Sequence, residues 1–112
     1  MTIITNKINL VIGLGRSGYW AAKFLNSIGE RVIVIEEKIN DQLAIYKKDL
    51  ENFGVEVFLE FPFKFEKIAP WINNINYVVL SPAIEIENQT VLRLKDSGIK
   101  VLGEAKIGWN YL

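Results

Sequence analysis

The 112-residue sequence contains no cysteine and no histidine. Without cysteine there is no disulfide frame, no thiolate nucleophile and no Cys-based zinc site; without histidine the commonest general base and the commonest metal ligand are both missing. Most hydrolase and metalloenzyme chemistries are thereby excluded. An excess of one charge is lacking too: 13 Lys and Arg stand against 13 Asp and Glu, so no overall field draws the chain to nucleic acid or to an anionic membrane. No apolar run approaches the roughly 20 residues that cross a bilayer. The start, MTIITNKINL, has neither the basic flank nor the long apolar stretch of a signal peptide. The expectation is a cytoplasmic protein with no metal, no nucleic-acid partner and no membrane partner.

What is present is apolar material in short blocks. Half the residues are hydrophobic, enough for one domain that buries roughly two thirds of its unfolded surface. Residues 8–12, INLVI, form a β-rich run that Gly13, Gly15 and Gly18 interrupt before YWAAKFLNSIG. That order predicts strand, turn and helix. Trp20, Ala21, Phe24, Leu25 and Ile28 recur at spacings of three and four, giving one apolar stripe, with Gly29 as the stop.

RVIVIEE, residues 31–37, is nearly continuous in apolar character, the pattern of a parallel strand covered on both faces. Asp41 is a suitable cap for a helix to about Phe53, with Leu43, Ile45 and Leu50 among its apolar positions, and Gly54 ends it before the strand VEVFLE. Residues 61–76 are the hardest to assign: alternating Phe residues point to extended chain, while Pro70 breaks any long helix. A buried strand over 77–80 stops at Ser81 and Pro82, a helix follows near 90–97, and IKVLG is a last short strand. From Glu104 the chain looks like the opening of a helix or a lead into further structure, with Trp109, Tyr111 and Leu112 needing cover. About five strands alternating with helices predict a single Rossmann-like domain over 1–112, a doubly wound, mostly parallel α/β sheet with helices on both faces.

Gly13, Gly15 and Gly18 fit GxGxxG. The first permits a tight turn, the second leaves bare backbone for a ligand, and the third lets the helix lie close to the sheet. Free amides at the helix start then bind an anion such as a diphosphate; the plain alternative is a tight strand-to-helix connection. Glu36 and Glu37 close the second strand about 20 residues on, where an acidic group reaches a ribose hydroxyl. Glu36, first after the apolar run, is the better candidate, and a solvated strand end is the alternative. Ser81, Pro82 and Ala83 leave the fourth strand at its carboxyl end, either as the opposite wall of a ligand crevice or as a rigid turn. Phe61, Phe63, Phe65 and the three tryptophans are assigned to core or interface, with no chemistry. Scattered carboxylates such as Glu56, Glu85 and Glu87 make no acid/base pair.

Together VIGLGRSG with the following AAKFL, VIVIEE, YVVLSPAI and GIKVLGEAKIGW resemble the N-terminal domain of the Mur ligases, nearest the D-glutamate-adding branch, in order and spacing over essentially the whole chain. The resemblance implies a domain that holds the UDP portion of UDP-N-acetylmuramoyl-L-alanine, in the bacterial cytoplasm, for peptidoglycan synthesis and cell division. It implies that Gly15, Arg16 and Ser17, then Glu36, Glu37 and Lys38, then Ser81 to Ala83 surround the uridine diphosphate, with Gly13 and Gly18 shaping the loop. Two departures stand out: Ala83 replaces a common glycine, and Glu36 a common aspartate.

Such ligases use ATP and Mg, a central domain with a GKS/T-type phosphate loop and a C-terminal amino-acid domain. This chain has no GxxxxGK[ST], so the expectation is the N-terminal fragment of a three-domain ligase, with no cofactor of its own and inactive alone. An NAD-binding dehydrogenase domain and a non-catalytic nucleotide-sensing module are the competing readings of the same loop.

Overall fold

The computed structural model describes residues 7–85 and 87–103; the helix opening or lead into further structure expected from Glu104, with Trp109, Tyr111 and Leu112, lies outside the described residues. Five parallel strands form one sheet in the order β3-β2-β1-β4-β5. They are β1 (Ile8–Ile12), β2 (Val32–Ile35), β3 (Glu56–Phe58), β4 (Ile75–Leu80) and β5 (Lys100–Gly103). Helices α1 (Arg16–Ser27) and α2 (Asp41–Asn52) carry the first two crossovers. A short α3 (Phe65–Ile68), a 3₁₀ turn (Ala69–Asn74) and α4 (Gln89–Asp96) follow. The doubly wound α/β expectation is met.

The sheet is apolar on both faces because helices cover both. Val11, Val32, Val34 and Val57 pack with Ala21, Ala22 and Leu25 of α1 and Leu43 and Leu50 of α2. On the other face Leu10, Ile12, Ile33, Ile35 and Val78 pack with Ile68 of α3 and Val91 and Leu94 of α4. Alternate residues of one strand thus feed two cores, and each large aliphatic side chain so buried contributes about 1.5–3 kcal/mol relative to exposure. Asn9 is the polar exception in β1. Its amide nitrogen donates to Glu30 (2.8 Å) and to the Arg31 carbonyl (3.1 Å), and its oxygen accepts from Asn76 (3.2 Å), so burial leaves neither end unpaired.

Several boundaries differ from expectation for local reasons. Helix α1 begins at Arg16, with Gly15 as its N-cap, so the glycine loop is shorter and the helix longer than the apolar pattern implied. In that helix Trp20 is 56% exposed, and Ile28, which caps its C-terminus, is 44% exposed; the buried face is Gly18, Ala21, Ala22 and Leu25. Tyr19 lies between these faces, bonded to Asp49 and stacked on Tyr46 (centroids 4.5 Å apart), while the Lys23 ammonium reaches its hydroxyl at 3.1 Å. That hydroxyl, ahead of the Asp49 carboxylate, holds Lys23 above the ordinary lysine range.

In α2 the cap is Asn40, whose Oδ1 accepts from the Leu43 amide at 2.8 Å. Asp41 is the first helical residue, placed where a negative charge suits the helix dipole. Ile45 is 61% exposed, so Leu43 and Leu50 seat the helix, with the partly buried Tyr46 packed beside them. β2 and β3 are shorter than RVIVIEE and VEVFLE, and β4 starts at Ile75 rather than residue 77. In the 61–76 segment Pro70 sits at the start of the 3₁₀ turn, where its missing N–H leaves no bond unmade.

At the edge of the sheet, Phe58 turns its carbonyl to β2 and accepts from Glu36 N (3.0 Å). Successive carbonyls of a strand alternate in direction, so that of Val57 faces away from the sheet. There Lys47 Nζ donates to it at 2.8 Å while also holding Glu51 at 2.9 Å.

Candidate functional site

The strand order turns back between β1 and β4, and ligands of open α/β sheets bind outside the carboxyl ends at that reversal. A crevice of about 400 Å³ opens there. Its floor is apolar, from Ile12 and Ile35 at the strand ends with Leu43 and Ile84. Gly13, Gly15, Glu36, Glu37, Lys38, Ser81 and Ala83 all line it. Arg16 and Ser17 open α1 beside it, exposed at the rim, and Gly18 is buried against the sheet.

Gly13 and Gly15 differ in what they do. Gly13 has φ +100°, and a Cβ there would lie 2.5 Å from the Ser81 Cβ. Its amide donates to the Ile35 carbonyl (2.9 Å), while the Ser81 amide donates to that of Ile12 (3.0 Å), so β1, β2 and β4 are drawn together around this one residue. Gly15 has φ −92°, a conformation open to any residue, and a Cβ there would meet nothing within 4 Å. The space in front of it is open crevice. No side chain caps α1, so its first amides keep the unpaired donors of a helix N-terminus.

The Glu36 carboxylate braces this loop. One oxygen accepts from the Leu14 amide at 2.8 Å and the other from the Lys38 amide at 2.9 Å. Each oxygen retains a second lone-pair position, and Glu36 lines the crevice. Glu37, exposed, accepts from the Phe63 amide at 3.3 Å. Opposite, residues 81–84 form a turn closed by the Ile84 amide on the Ser81 carbonyl (3.0 Å), with Pro82 at its second position. Among the described residues only Glu60 combines a side chain with positive φ; the Ala83 methyl therefore sits on unstrained backbone where a glycine was expected.

Sequence reasoning missed Asn40, Phe61 and Phe63, which also line the crevice. The alternation of Phe61 and Phe63 around Pro62 was the available signal, since it places both rings on one side of an extended segment. No group of three or more His, Cys, Asp or Glu side chains among the described residues is gathered to hold a metal ion. Nor is any described helix long and apolar enough to cross a membrane.

One prediction arises directly from the brace. Glu36→Ala frees two loop amides and is expected to lower stability by about 1.5–3 kcal/mol, the range for hydrogen bonds to a charged group. Glu36→Gln retains an acceptor for Leu14 and should lose about half of that. Urea denaturation of the two variants tests this, and equal midpoints for Glu36→Ala and the parent would refute it.

Known proteins resemble this chain along most of its length. The profile of the Mur ligase MurD-like N-terminal domain matches residues 7–103. The UDP-N-acetylmuramoylalanine--D-glutamate ligase of Prochlorococcus marinus (strain MIT 9515) is 49% identical over 106 residues, covering 95% of this chain and 22% of that protein. The ligase of the same name from Parasynechococcus marenigrum (strain WH8102) is 36% identical over 103 residues, covering 92% and 22%. The chain thus spans about a fifth of the length of these relatives.

Among solved structures, isoflavone reductase aligns with TM-score 0.67 at 16% identity, over 84% of this chain and 34% of that one. The Kef C-terminal domain of Shewanella denitrificans, in its AMP-bound form, aligns with TM-score 0.57 at 14% identity, over 87% and 57%. These two share the fold. With its matched profile covering all five strands and the crevice between them, the chain belongs to the Mur ligase MurD-like N-terminal domain family.

Proposed function

We propose that this domain binds the UDP portion of UDP-N-acetylmuramoyl-L-alanine for an ATP-dependent, D-glutamate-adding ligase of bacterial peptidoglycan synthesis. Support comes from the crevice itself: a bare Gly15 and an uncapped helix start face the carboxyl end of β2 across an apolar floor. The diphosphate lies against the first amides of α1, with the Arg16 guanidinium at the same turn. The uridine lies toward Glu36, Glu37 and Lys38, where a carboxylate lone pair accepts from a ribose hydroxyl or ring N–H. Ser81 and Ala83 form the facing wall.

The chemistry of ligation, with ATP and Mg, belongs to the central and C-terminal domains of a longer parent working in the cytoplasm. Here the domain positions substrate. Its own affinity is modest, since closure by those domains adds contacts.

Titration of the chain with UDP, UMP and NADH tests the reading. UDP-selective binding is expected. NADH bound tightly with UDP ignored would replace it with a dehydrogenase domain, and indifference to all three would leave a nucleotide-independent interaction module.

A further inference from the structure

Phe61 and Phe63 border the crevice, yet neither is free to move as a surface side chain. Phe61 donates its amide to the Glu36 carbonyl at 2.9 Å, and its ring stacks on Trp71 with centroids 5.6 Å apart and planes 16° from parallel. Phe58 leans against both rings. Phe63 is held by its backbone at both ends: its amide donates to Glu37 (3.3 Å), and its carbonyl accepts from the Thr90 hydroxyl of α4 (3.3 Å). Pro62 between them fixes one φ, and its carbonyl accepts from the Lys64 amide at 2.9 Å. Phe61 and Phe63 thus line the crevice together with the Glu36 and Glu37 carboxylates that close β2, and both side chains pack against the buried core on that face of the sheet.

We propose that Phe61 and Phe63 are the base-reading wall of the site, against which the pyrimidine ring of the bound nucleotide packs, with Trp71 as a positioning residue behind Phe61. The inference rests on the UDP reading above and assigns its base end. A flat ring laid on an aromatic side chain gains dispersion and apolar contact whatever its hydrogen-bonding pattern. Because the Phe61 ring is stacked on Trp71 and both rings pack against the buried core, little conformational entropy is lost when a base arrives. A diphosphate without a base gains nothing from this wall. Besides facing the uridine, the Glu37 carboxylate accepts from the Phe63 amide and so helps to hold this wall in place.

The experiment is nuclear Overhauser spectroscopy of the unmodified chain with UDP, together with UDP titrations of Phe61→Leu, Phe63→Ala and Phe63→Leu. Expected are transferred effects between the uracil H5 and H6 protons and Phe ring protons in the parent. They are accompanied by a loss of about tenfold or more in UDP affinity for Phe63→Ala and a smaller loss for the two leucine variants, which keep apolar contact. Amide spectra check that each variant is folded, and the parent spectrum stands even where Phe63→Ala does not fold. Bound UDP without base-to-ring effects, or folded variants that bind UDP like the parent, would overturn the proposal while leaving the UDP reading intact. A parent that ignores UDP altogether would overturn the UDP reading, and this inference with it.

Discussion

Gly13→Ala is expected to lower stability far more than Gly15→Ala in the same loop. Two costs combine. A side chain at φ +100° carries backbone strain of about 1–2 kcal/mol. A Cβ 2.5 Å from the Ser81 Cβ forces β1 and the 81–84 turn apart, at about 1–3 kcal/mol for an overpacked site. The thermal midpoint should fall by about 10 °C or more. Adding Ser81→Gly removes the obstructing Cβ, so the double variant should regain the steric part and retain the backbone part, a coupling that a double-mutant cycle measures. A Gly13→Ala midpoint within about 3 °C of the parent would mean that the contact relaxes freely.

Gly15→Val is expected to do the opposite, abolishing most binding while sparing the fold. At φ −92° and ψ −166° valine fits the backbone, and its branches project into open space. The cap position loses only about 0.5–1 kcal/mol on exchange of glycine for a residue that caps poorly. In the proposed complex, however, that space belongs to the ligand's phosphates or sugar, and filling it should weaken UDP by about 10- to 100-fold, the equivalent of 1–3 kcal/mol of overpacking. Ser27→Ala is the control: its hydroxyl bonds the Phe24 carbonyl at the far end of α1 and should leave binding unchanged. A folded Gly15→Val that binds UDP like the parent would reduce the loop to a connection between strand and helix.

The contrast between the two glycines also shows what the amino-acid sequence disclosed. That residues 8–12 and 32–35 were buried parallel strands was legible because both faces of such a strand demand apolar side chains, leaving a continuous run. GxGxxG fixed the place of the turn, and Glu36 could be counted to the end of β2. Which glycine is obligatory for folding was not legible, because the partner of Gly13 is Ser81, far along the chain. Helical spacing located the apolar side of α1 but not its width, so Trp20 and Ile28 were placed inside when Ala21, Ala22 and Leu25 suffice. Segment 61–76 escaped assignment because α3 is four residues long and the 3₁₀ turn six, too short for periodicity to register. The alternation marked Phe61 and Phe63 as sharing one side, but Phe61 is carried to the crevice by its amide bond to the Glu36 carbonyl and its stacking on Trp71, contacts that only the folded chain brings about.

The Lys47 ammonium on the outward carbonyl of Val57 bears on how the domain behaves in a crowd. An unprotected edge strand offers an incoming chain a ready hydrogen-bond acceptor, the first rung of sheet-to-sheet aggregation. Here that rung is taken. A stranger must first evict a cation that is also held by Glu51, so pairing along β3 begins with a loss. With only three residues in β3, there is little further ladder from which to recover it. One lysine on a helix thereby covers an acceptor on the edge of a sheet it does not belong to.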